Sequence, residues 1–158
     1  MYFRINFQTP YLGGIRIMDY WLVHTNNTEE GTPNAFKYML RQGVVGTFYG
    51  KKEAVEKLEV GDIVLLYHGS NQIIGVGAVV QTYEPHDIKR IDNITHQADV
   101  NWIWKAHFDD DWNPLDSIMR ENIEKDTWSK RHAIENITGK VKCSALLREI
   151  AKKQKYYL

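Results

Sequence analysis

The stretch that decides the fold is Asp62-Ile-Val-Leu-Leu-Tyr-His-Gly-Ser-Asn-Gln-Ile-Ile-Gly-Val-Gly-Ala-Val-Val80. Two apolar runs rich in β-branched residues, Ile63–Tyr67 and Ile73–Val80, flank a polar break of turn-forming residues at 68–72. This pattern predicts a β-hairpin with a loop of about four or five residues. We expect this hairpin to lie at the centre of a curved sheet.

Two glycines in the second run indicate a close approach to the predicted strand. Gly75 and Gly77 lie two residues apart and therefore share one face of the strand. Glycine weakens a strand unless another part of the chain or a ligand must come close. Two interpretations stay open, namely a barrel corner or a helix packed on the sheet, and direct contact with a ligand.

Length and composition predict one cytoplasmic domain. A chain of 158 residues corresponds to about one domain with a full hydrophobic core, which we place at about residues 18–154. Residues 1–17 form either an extra edge strand or an extension. The net charge is zero, so any binding of nucleic acid must come from a local basic patch. The single Cys143 excludes an internal disulfide, and no apolar run approaches the ~20 residues of a membrane span.

Apolar spacing and capping residues predict further elements on either side of the hairpin. The predicted strands and extended segments are Arg16–Thr25, Val44–Gly50 and Ala98–Phe108. The predicted helices are Ala35–Gln42, Lys51–Leu58, Pro114 to about Asn122, and Ala145–Gln154. A polar loop is predicted at Tyr83–Thr95, and a basic, irregular segment at Thr127–Ile137.

The sequence carries no strong signature of catalysis. It has no phosphate-binding loop, and its six histidines lack the spacing of a zinc site. Asp109–Asp111 either holds a magnesium ion for nuclease chemistry or, as we favour, is a set of solvated charges at a strand end. Cys143 lies at a helix start without an obvious base, and we expect it to be a small buried filler. We therefore expect neither an enzyme nor a cofactor nor a bound metal.

Several segments resemble, in chain order, the PUA-like superfamily, in particular the EVE domain and its relative the YTH domain. The matching segments are Tyr20–Asn26, Gly43–Gly46, Val60–Asp62 with the Tyr67–Gly77 hairpin, Asp99–Trp104 and Asp126–Ile137. The resemblance implies an α+β fold, a curved and mostly antiparallel β-barrel with short helices packed outside. One open end of such a barrel accepts a single, modified base of DNA or RNA. Since EVE domains are also found fused to modification-dependent restriction proteins, the resemblance implies an effector partner such as a nuclease.

The chain departs from the YTH pattern at two aromatic positions. YTH domains carry a tryptophan where this chain has Val45, and a second one in the loop that here is Tyr83–Thr95. A YTH-type aromatic cage for N6-methyladenine is therefore incomplete unless Phe48, Tyr49 or Tyr83 replaces these side chains.

A base taken out of its strand needs a stacking surface, polar groups for its edge, and cations for the flanking phosphates. The predicted base-binding residues come from the end of the first strand, an aromatic pair, the hairpin tip and the pocket floor: His24, Thr25, Asn26, Phe48, Tyr49, Ser70 and Trp21. The predicted phosphate-binding residues are Lys130 and Arg131. Trp128 beside them either stacks on the ligand or covers the core.

Each of these roles has an ordinary structural alternative. Asn26 is equally suited to a turn, one residue of the Phe48–Tyr49 pair is expected in the core, and Trp21 lies either in the core or at the pocket floor. Lys130 and Arg131 fit a plain surface as well as a phosphate site.

The sequence thus predicts a non-catalytic module that binds nucleic acid and reads one modified base. The alternative is a protein that binds a nucleoside or metabolite, or a metal-dependent hydrolase that uses the same pocket. The Asp109–Asp111 cluster favours that alternative. A third hypothesis, a protein-interaction adaptor, requires a large exposed apolar patch.

Overall fold

The protein is described by a computed structural model. It covers residues 17–25, 35–48, 52–69, 71–82, 94–128 and 133–157. Its strands are β1 (Tyr20–His24), β2 (Val44–Phe48), β3 (Ile63–His68), β4 (Gln72–Gln81), β5 (Ile94–Lys105), β6 (Ile118–Met119) and β7 (Ile134–Asn136). Its helices are α1 (Ala35–Gln42), α2 (Lys52–Glu56), α3 (Arg120–Ile123) and α4 (Cys143–Tyr157).

The strands form a curled, mostly antiparallel sheet that closes into a half-barrel. The strand order is β2-β5-β4-β3-β1-β7, and the short β6 pairs with the start of β4. The hairpin of β3 and β4 therefore lies in the middle of the sheet, as predicted. Strands β1 and β3 run parallel, with Tyr20 opposite Ile63 and His24 opposite Tyr67. Because the two strands are parallel, their C-terminal ends lie side by side at the same end of the sheet.

The central hairpin turns more tightly than the sequence predicts. Its strands extend to His68 and Gln72, which pair with each other. Gly69 and Asn71, between them, have φ angles of 59° and 65° in the left-handed region. Glycine and asparagine are the residues that adopt this region at least cost. The pairing register also shifts between Leu66 and Tyr67, which bends the ribbon at its tip.

The two glycines of β4 make room for a tryptophan and a helix. A Cβ atom on Gly75 would lie 3.1 Å from both Leu40 Cδ2 of α1 and Trp102 Cζ3 of β5. A Cβ atom on Gly77 would overlap Val100 and lie 2.9 Å from Trp102 Cε3. The indole of Trp102 also donates from Nε1 to the carbonyl oxygen of Met39, at 3.0 Å. Of the two interpretations, packing of a helix on the sheet describes Gly75, which faces Leu40 of α1, whereas Gly77 is crowded by residues of the neighbouring strand β5.

A buried carboxylate joins the start of β1 to the start of β3. Asp62 is fully buried, and its Oδ2 accepts hydrogen bonds from Trp21 Nε1 and from the Glu59 amide, both at 3.0 Å. Its Oδ1 accepts from the amide of Asp19 at 3.1 Å. Because three donors surround the carboxylate, its burial is compensated. The Asp62 carboxylate therefore fixes how the first strand enters the sheet.

Other sequence predictions need correction. The helix predicted from Pro114 is wrong, because Pro114 pairs with Phe108 in a β-bridge and the helix spans only Arg120–Ile123. The segment predicted as irregular contains β7, which pairs antiparallel with β1. Cys143, predicted to be buried, is exposed at the first position of α4.

The remaining helix predictions differ from the structure by a few residues. Helix α1 has the predicted bounds, α2 is shorter than predicted, and α4 begins earlier and ends later. Trp128 belongs to the core at 1% exposure, and its Nε1 donates to the carbonyl oxygen of Lys140 at 3.0 Å. Among the described helices, none has the length and apolar character to cross a membrane.

We predict that Asp62→Asn lowers the free energy of unfolding by about 1.5–3 kcal/mol, the loss expected when a buried, charged hydrogen-bond acceptor is removed. One carboxylate oxygen becomes an NH₂ group that faces a donor, so at least one buried N–H loses its acceptor. Urea denaturation followed by tryptophan fluorescence measures the change. Asp110→Asn, at an exposed position, is the matched control, and equal midpoints for both variants would contradict the prediction.

We also predict that Gly77→Ala destabilises the protein by about 1–3 kcal/mol through overpacking. Gly75→Ala should cost less, because the contacts of its new methyl group are at 3.1 Å and involve side chains that can move. The Gly77 methyl group instead meets the backbone oxygen of Asn101 at 2.9 Å. Thermal unfolding of both variants gives the comparison, and a Gly75 variant less stable than the Gly77 variant would refute this packing account.

Candidate nucleic-acid interface

The ends of the parallel strands β1 and β3 form a polar edge. Thr25, directly after β1, is 2% exposed, and its Oγ1 donates to the carbonyl oxygen of Tyr67 at 2.9 Å. The same Oγ1 lies 3.3 Å from Nδ1 of His68, the last residue of β3. We call Thr25 and His68 the strand-end pair. Burial lowers the pKa of His68 below its ordinary range, so the neutral ring is favoured near neutral pH.

The hairpin tip beside the strand-end pair is held from two sides. Tyr67 donates from its hydroxyl group to Oδ1 of Asn71 at 2.9 Å. The carbonyl oxygen of Asn71 accepts from the amide of Arg120, at the start of α3, at 2.8 Å. The ring of His24 packs edge-on against the ring of Tyr67, with centroids 5.1 Å apart. The tip is therefore positioned by β1 and by α3 as well as by its own turn.

A row of aromatic rings continues from the strand-end pair. Phe36, in the first turn of α1, lies 4.3 Å from the ring of His68 between centroids. Its ring is 5.8 Å from that of Phe108, and the rings of Phe108 and Trp112 are 5.3 Å apart. We call Phe36, Phe108 and Trp112 the aromatic row. Phe36 is buried, whereas Phe108 and Trp112 keep part of their surface exposed.

Two cations of α1 lie over the outer end of this row. Lys37 Nζ is 5.0 Å from the centroid of the Trp112 ring, and Arg41 Cζ is 4.7 Å from it. Because Lys37 and Arg41 are four residues apart, they share one face of the helix. Cations at these distances are attracted to the face of an indole ring. The face of α1 that carries them thus combines stacking surface with positive charge.

Asp109–Asp111, which we call the acidic run, forms a turn that holds Trp112 in place. Asp109 Oδ1 accepts from the amides of Asp111 and Asn113 at 2.9 and 2.8 Å, and Oδ2 accepts from Asn113 Nδ2 at 3.1 Å. The hydrogen bonds from the backbone and side chain of Asn113 lower the pKa of Asp109. Trp112 has a φ angle of 63°, a conformation that is uncommon for a bulky residue and needs such support.

The same turn bears on the predicted alternative of a magnesium-dependent hydrolase. Both oxygens of Asp109 already accept hydrogen bonds within the turn. Across the described part of the chain, no three His, Cys, Asp or Glu side chains come together as they would around a metal ion. The observed contacts of the acidic run are those of a structural turn.

Three of the predicted site residues have side chains within the described part of the chain. His24 and Thr25 lie at the end of β1, as expected, and Thr25 meets the hairpin through Tyr67 and His68. Trp21 is buried in the core at 6% exposure, bonded to Asp62 near the other end of β1. Five of the predicted site residues lie outside the described part of the chain, namely Asn26, Tyr49, Ser70, Lys130 and Arg131. The side chain of Phe48 is not described either. Their binding roles stay predictions.

The sequence does not predict the aromatic row, the two cations above it or the place of His68 beside Thr25. In the sequence, Phe36 fits the apolar face of the predicted helix Ala35–Gln42, and Trp112 directly follows Asp109–Asp111. A usable signal was present, because an aromatic residue between Asp111 and the Asn113-Pro114 turn signal is not required by any strand or helix. Nothing in the linear spacing brings Trp112 to Lys37.

Comparison with solved structures reveals a YTH-like fold. The chain is similar to the YTH domain of the Zygosaccharomyces rouxii MRB1 protein in complex with N6-methyladenosine RNA, at 13% identity over 84% of this chain and 86% of that one, with a TM-score of 0.52. It is also similar to a hypothetical protein from Leishmania major, at 14% identity over 87% of this chain and 98% of that one, with a TM-score of 0.48.

A third similar structure is that of the YTH domain-containing protein Mmi1 with RNA, at 9% identity and a TM-score of 0.42. The match covers 56% of this chain and 56% of the Mmi1 chain. At such low identities the likeness to the MRB1 domain establishes the fold alone, and the predicted curved, mostly antiparallel, YTH-like fold is confirmed. The narrower assignment to the EVE domain stays a prediction.

One protein-family model matches the chain, and it covers residues 51–130, just over half of the sequence. The matched region includes the central hairpin, β5 and the acidic turn. No curated protein matches the chain significantly. The chain belongs to the family described as a domain of unknown function, DUF8426.

Proposed function

We propose that this protein is a non-catalytic module that binds single-stranded nucleic acid and accepts one modified base at the ends of β1 and β3. The observation that carries the proposal is the aromatic row with Lys37 and Arg41 above Trp112, adjoining the strand-end pair. Single-stranded nucleic acid is bound where aromatic rings for stacking and cations for phosphates lie side by side. Polar groups at the end of such a row can form hydrogen bonds with the edge of a base, and these bonds distinguish one base from another.

The charge distribution supports one direction for the strand. Asp110 and Asp111 are exposed on the acidic turn and repel phosphates on that side of Trp112. Lys37 and Arg41 attract phosphates on the side of α1. We therefore expect the nucleic-acid strand to cross the aromatic row along α1, with the recognised base towards Thr25 and His68. The protein has no net charge that would attract a nucleic acid from a distance. The local charges must therefore decide the path of the bound strand.

The fold gives the proposal its second support. The MRB1 domain, which shares the fold, is in complex with N6-methyladenosine RNA. Methylated RNA is therefore the first ligand to test, followed by single-stranded DNA with the same bases. The aromatic groups available to enclose a modified base beside the strand-end pair are those of the aromatic row. Phe48 pairs with Ile94 at the start of β5, whereas the aromatic row lies beyond the other end of that strand, at Lys105.

We predict that the double variant Lys37→Gln/Arg41→Gln binds single-stranded RNA more weakly and with a shallower salt dependence. Each phosphate contact removed reduces the slope of log K against log salt by about 0.7 for a single strand. Fluorescence anisotropy titrations at several salt concentrations measure both quantities. Free nucleoside in place of the oligonucleotide tests the alternative of a small-molecule site.

The matched control for this charge change is Lys142→Gln/Arg148→Gln. Both residues are exposed, and they lie in or next to the first turns of α4, near the Tyr20 end of β1 rather than the Thr25 end. A second contrast is Trp112→Ala, which should weaken binding by about 1–3 kcal/mol per stacked base while leaving the salt slope unchanged. Equal effects of the two charge variants, or no binding by the wild type at low salt, would sink the proposal.

The predicted phosphate residues give a further test. Removing both Lys130 and Arg131 should weaken binding by a similar factor for every sequence and base tested, because contacts to phosphates carry no information on the base. The measurement is the ratio of affinities for modified and unmodified oligonucleotides, which should stay constant. A changed ratio would mean that one of these residues touches the base itself.

A further inference from the structure

The hydrogen bond between Thr25 and His68 has a direction that its surroundings determine. A hydroxyl group has one proton to donate, and Thr25 Oγ1 donates it to the carbonyl oxygen of Tyr67 at 2.9 Å. The 3.3 Å contact between Thr25 Oγ1 and His68 Nδ1 must then run the other way. Nδ1 carries the proton, and the threonine oxygen accepts it.

The rest of the environment keeps this imidazole ring neutral. The ring of Phe36 lies 4.3 Å from the ring of His68, and burial lowers the pKa of His68. A neutral imidazole with its proton on Nδ1 carries a lone pair on Nε2 and accepts hydrogen bonds there. Within the described part of the chain, no residue donates a hydrogen bond to Nε2 of His68.

We propose that Nε2 of His68 is the acceptor that recognises an N–H group on the edge of the bound base. This inference rests on the proposed function and deepens it by naming a specificity-determining contact. The ligand class is a base that keeps at least one N–H on its Watson–Crick edge, such as adenine, cytosine or their N-monomethylated forms. Bases whose exocyclic amine is fully methylated have no such donor at that position and are rejected.

The role of His68 has a pH dependence with a definite sign. When Nε2 is protonated it becomes a donor, so binding of the base should weaken as the pH falls through the His68 pKa. A purely electrostatic role would act in the opposite direction, because an added positive charge attracts phosphates. Within the described ranges, the other titratable groups that face this region are His24, Tyr67 and Lys37. Of these, His24 is the other imidazole.

Two substitutions separate the two nitrogens of the ring. In His68→Gln the side-chain amide reaches the position of Nε2 and offers an acceptor that does not titrate. In His68→Asn the shorter amide can reproduce the Nδ1–H contact to Thr25 but leaves the Nε2 position empty. We expect His68→Asn to weaken binding roughly three- to tenfold, as for one lost hydrogen bond, and His68→Gln to retain most of it.

The experiment uses single-stranded oligonucleotides with one adenine or cytosine that is unmodified, monomethylated or dimethylated at its exocyclic amine. Anisotropy titrations of wild type and both variants run from about pH 8 to about pH 5. The wild type should lose affinity for the N–H-bearing base at low pH, and His68→Gln should lose this pH dependence. Dimethylation of the amine should weaken binding to the wild type and should have little effect on His68→Asn.

Nitrogen-15 NMR of the free protein tests the tautomer without any ligand. We expect a pyrrole-type shift for Nδ1 and a pyridine-type shift for Nε2 of His68. Three results would overturn the inference and leave the proposed function standing: a proton on Nε2, equal binding by His68→Asn and wild type, or a pH dependence that persists in His68→Gln. Such persistence would point to a titratable group other than His68. Failure of the wild type to bind any oligonucleotide would instead overturn the proposed function, and the acceptor role with it. If His68→Asn melts early, the comparison of wild type with His68→Gln still decides.

Discussion

The register of the parallel pair β1 and β3 is the constraint on which the geometry of the candidate site depends. Asp62 fixes it at one end, where its carboxylate accepts from Trp21 Nε1 and from the Asp19 amide. Thr25 marks the other end, where it meets Tyr67 and His68. A slip of one residue would turn every β1 side chain to the opposite face of the sheet. The buried carboxylate thus acts on the site from a distance of about six strand residues, or roughly 20 Å.

The sequence predicted this part of the fold well because its signals are local. The two apolar runs and the turn residues between them indicate a hairpin without reference to the rest of the chain. Gly75 and Gly77 also indicated a close approach to their strand face, and the structure places Trp102 and Leu40 there. What the sequence could not supply was the identity of these neighbours, which come from residues far away in the chain.

The sequence-based predictions that were wrong have a common physical cause. They concern elements that depend on pairing between distant strands or on turns held by side-chain hydrogen bonds. Strand β7 has only three residues and owes its existence to its partner β1 rather than to any apolar run. The helix predicted from Pro114 competes with a turn in which Asp116 accepts from the amide of His107 at 2.6 Å. Proline at a helix start and proline after a turn look the same in sequence. The observed turn is selected by side-chain contacts that no periodicity reports.

The same reasoning explains which parts of the candidate site could be predicted from the sequence. The end of β1 could be located because a strand and its polar end are sequence features. The aromatic row could not, because Phe36 and Trp112 come together only through the fold. The acidic run also changes its meaning once folded. A chain without net charge has little long-range attraction for nucleic acid, so the proposed function requires short-range contacts. Trp112 has a left-handed conformation within the turn of Asp109 and lies under Lys37 and Arg41. Under the proposed function, stacking and charge would act there on the same nucleotide. An acidic segment can therefore help to build a surface for an anionic ligand when its carboxylates bind the backbone and its exposed acids exclude the ligand from the wrong side.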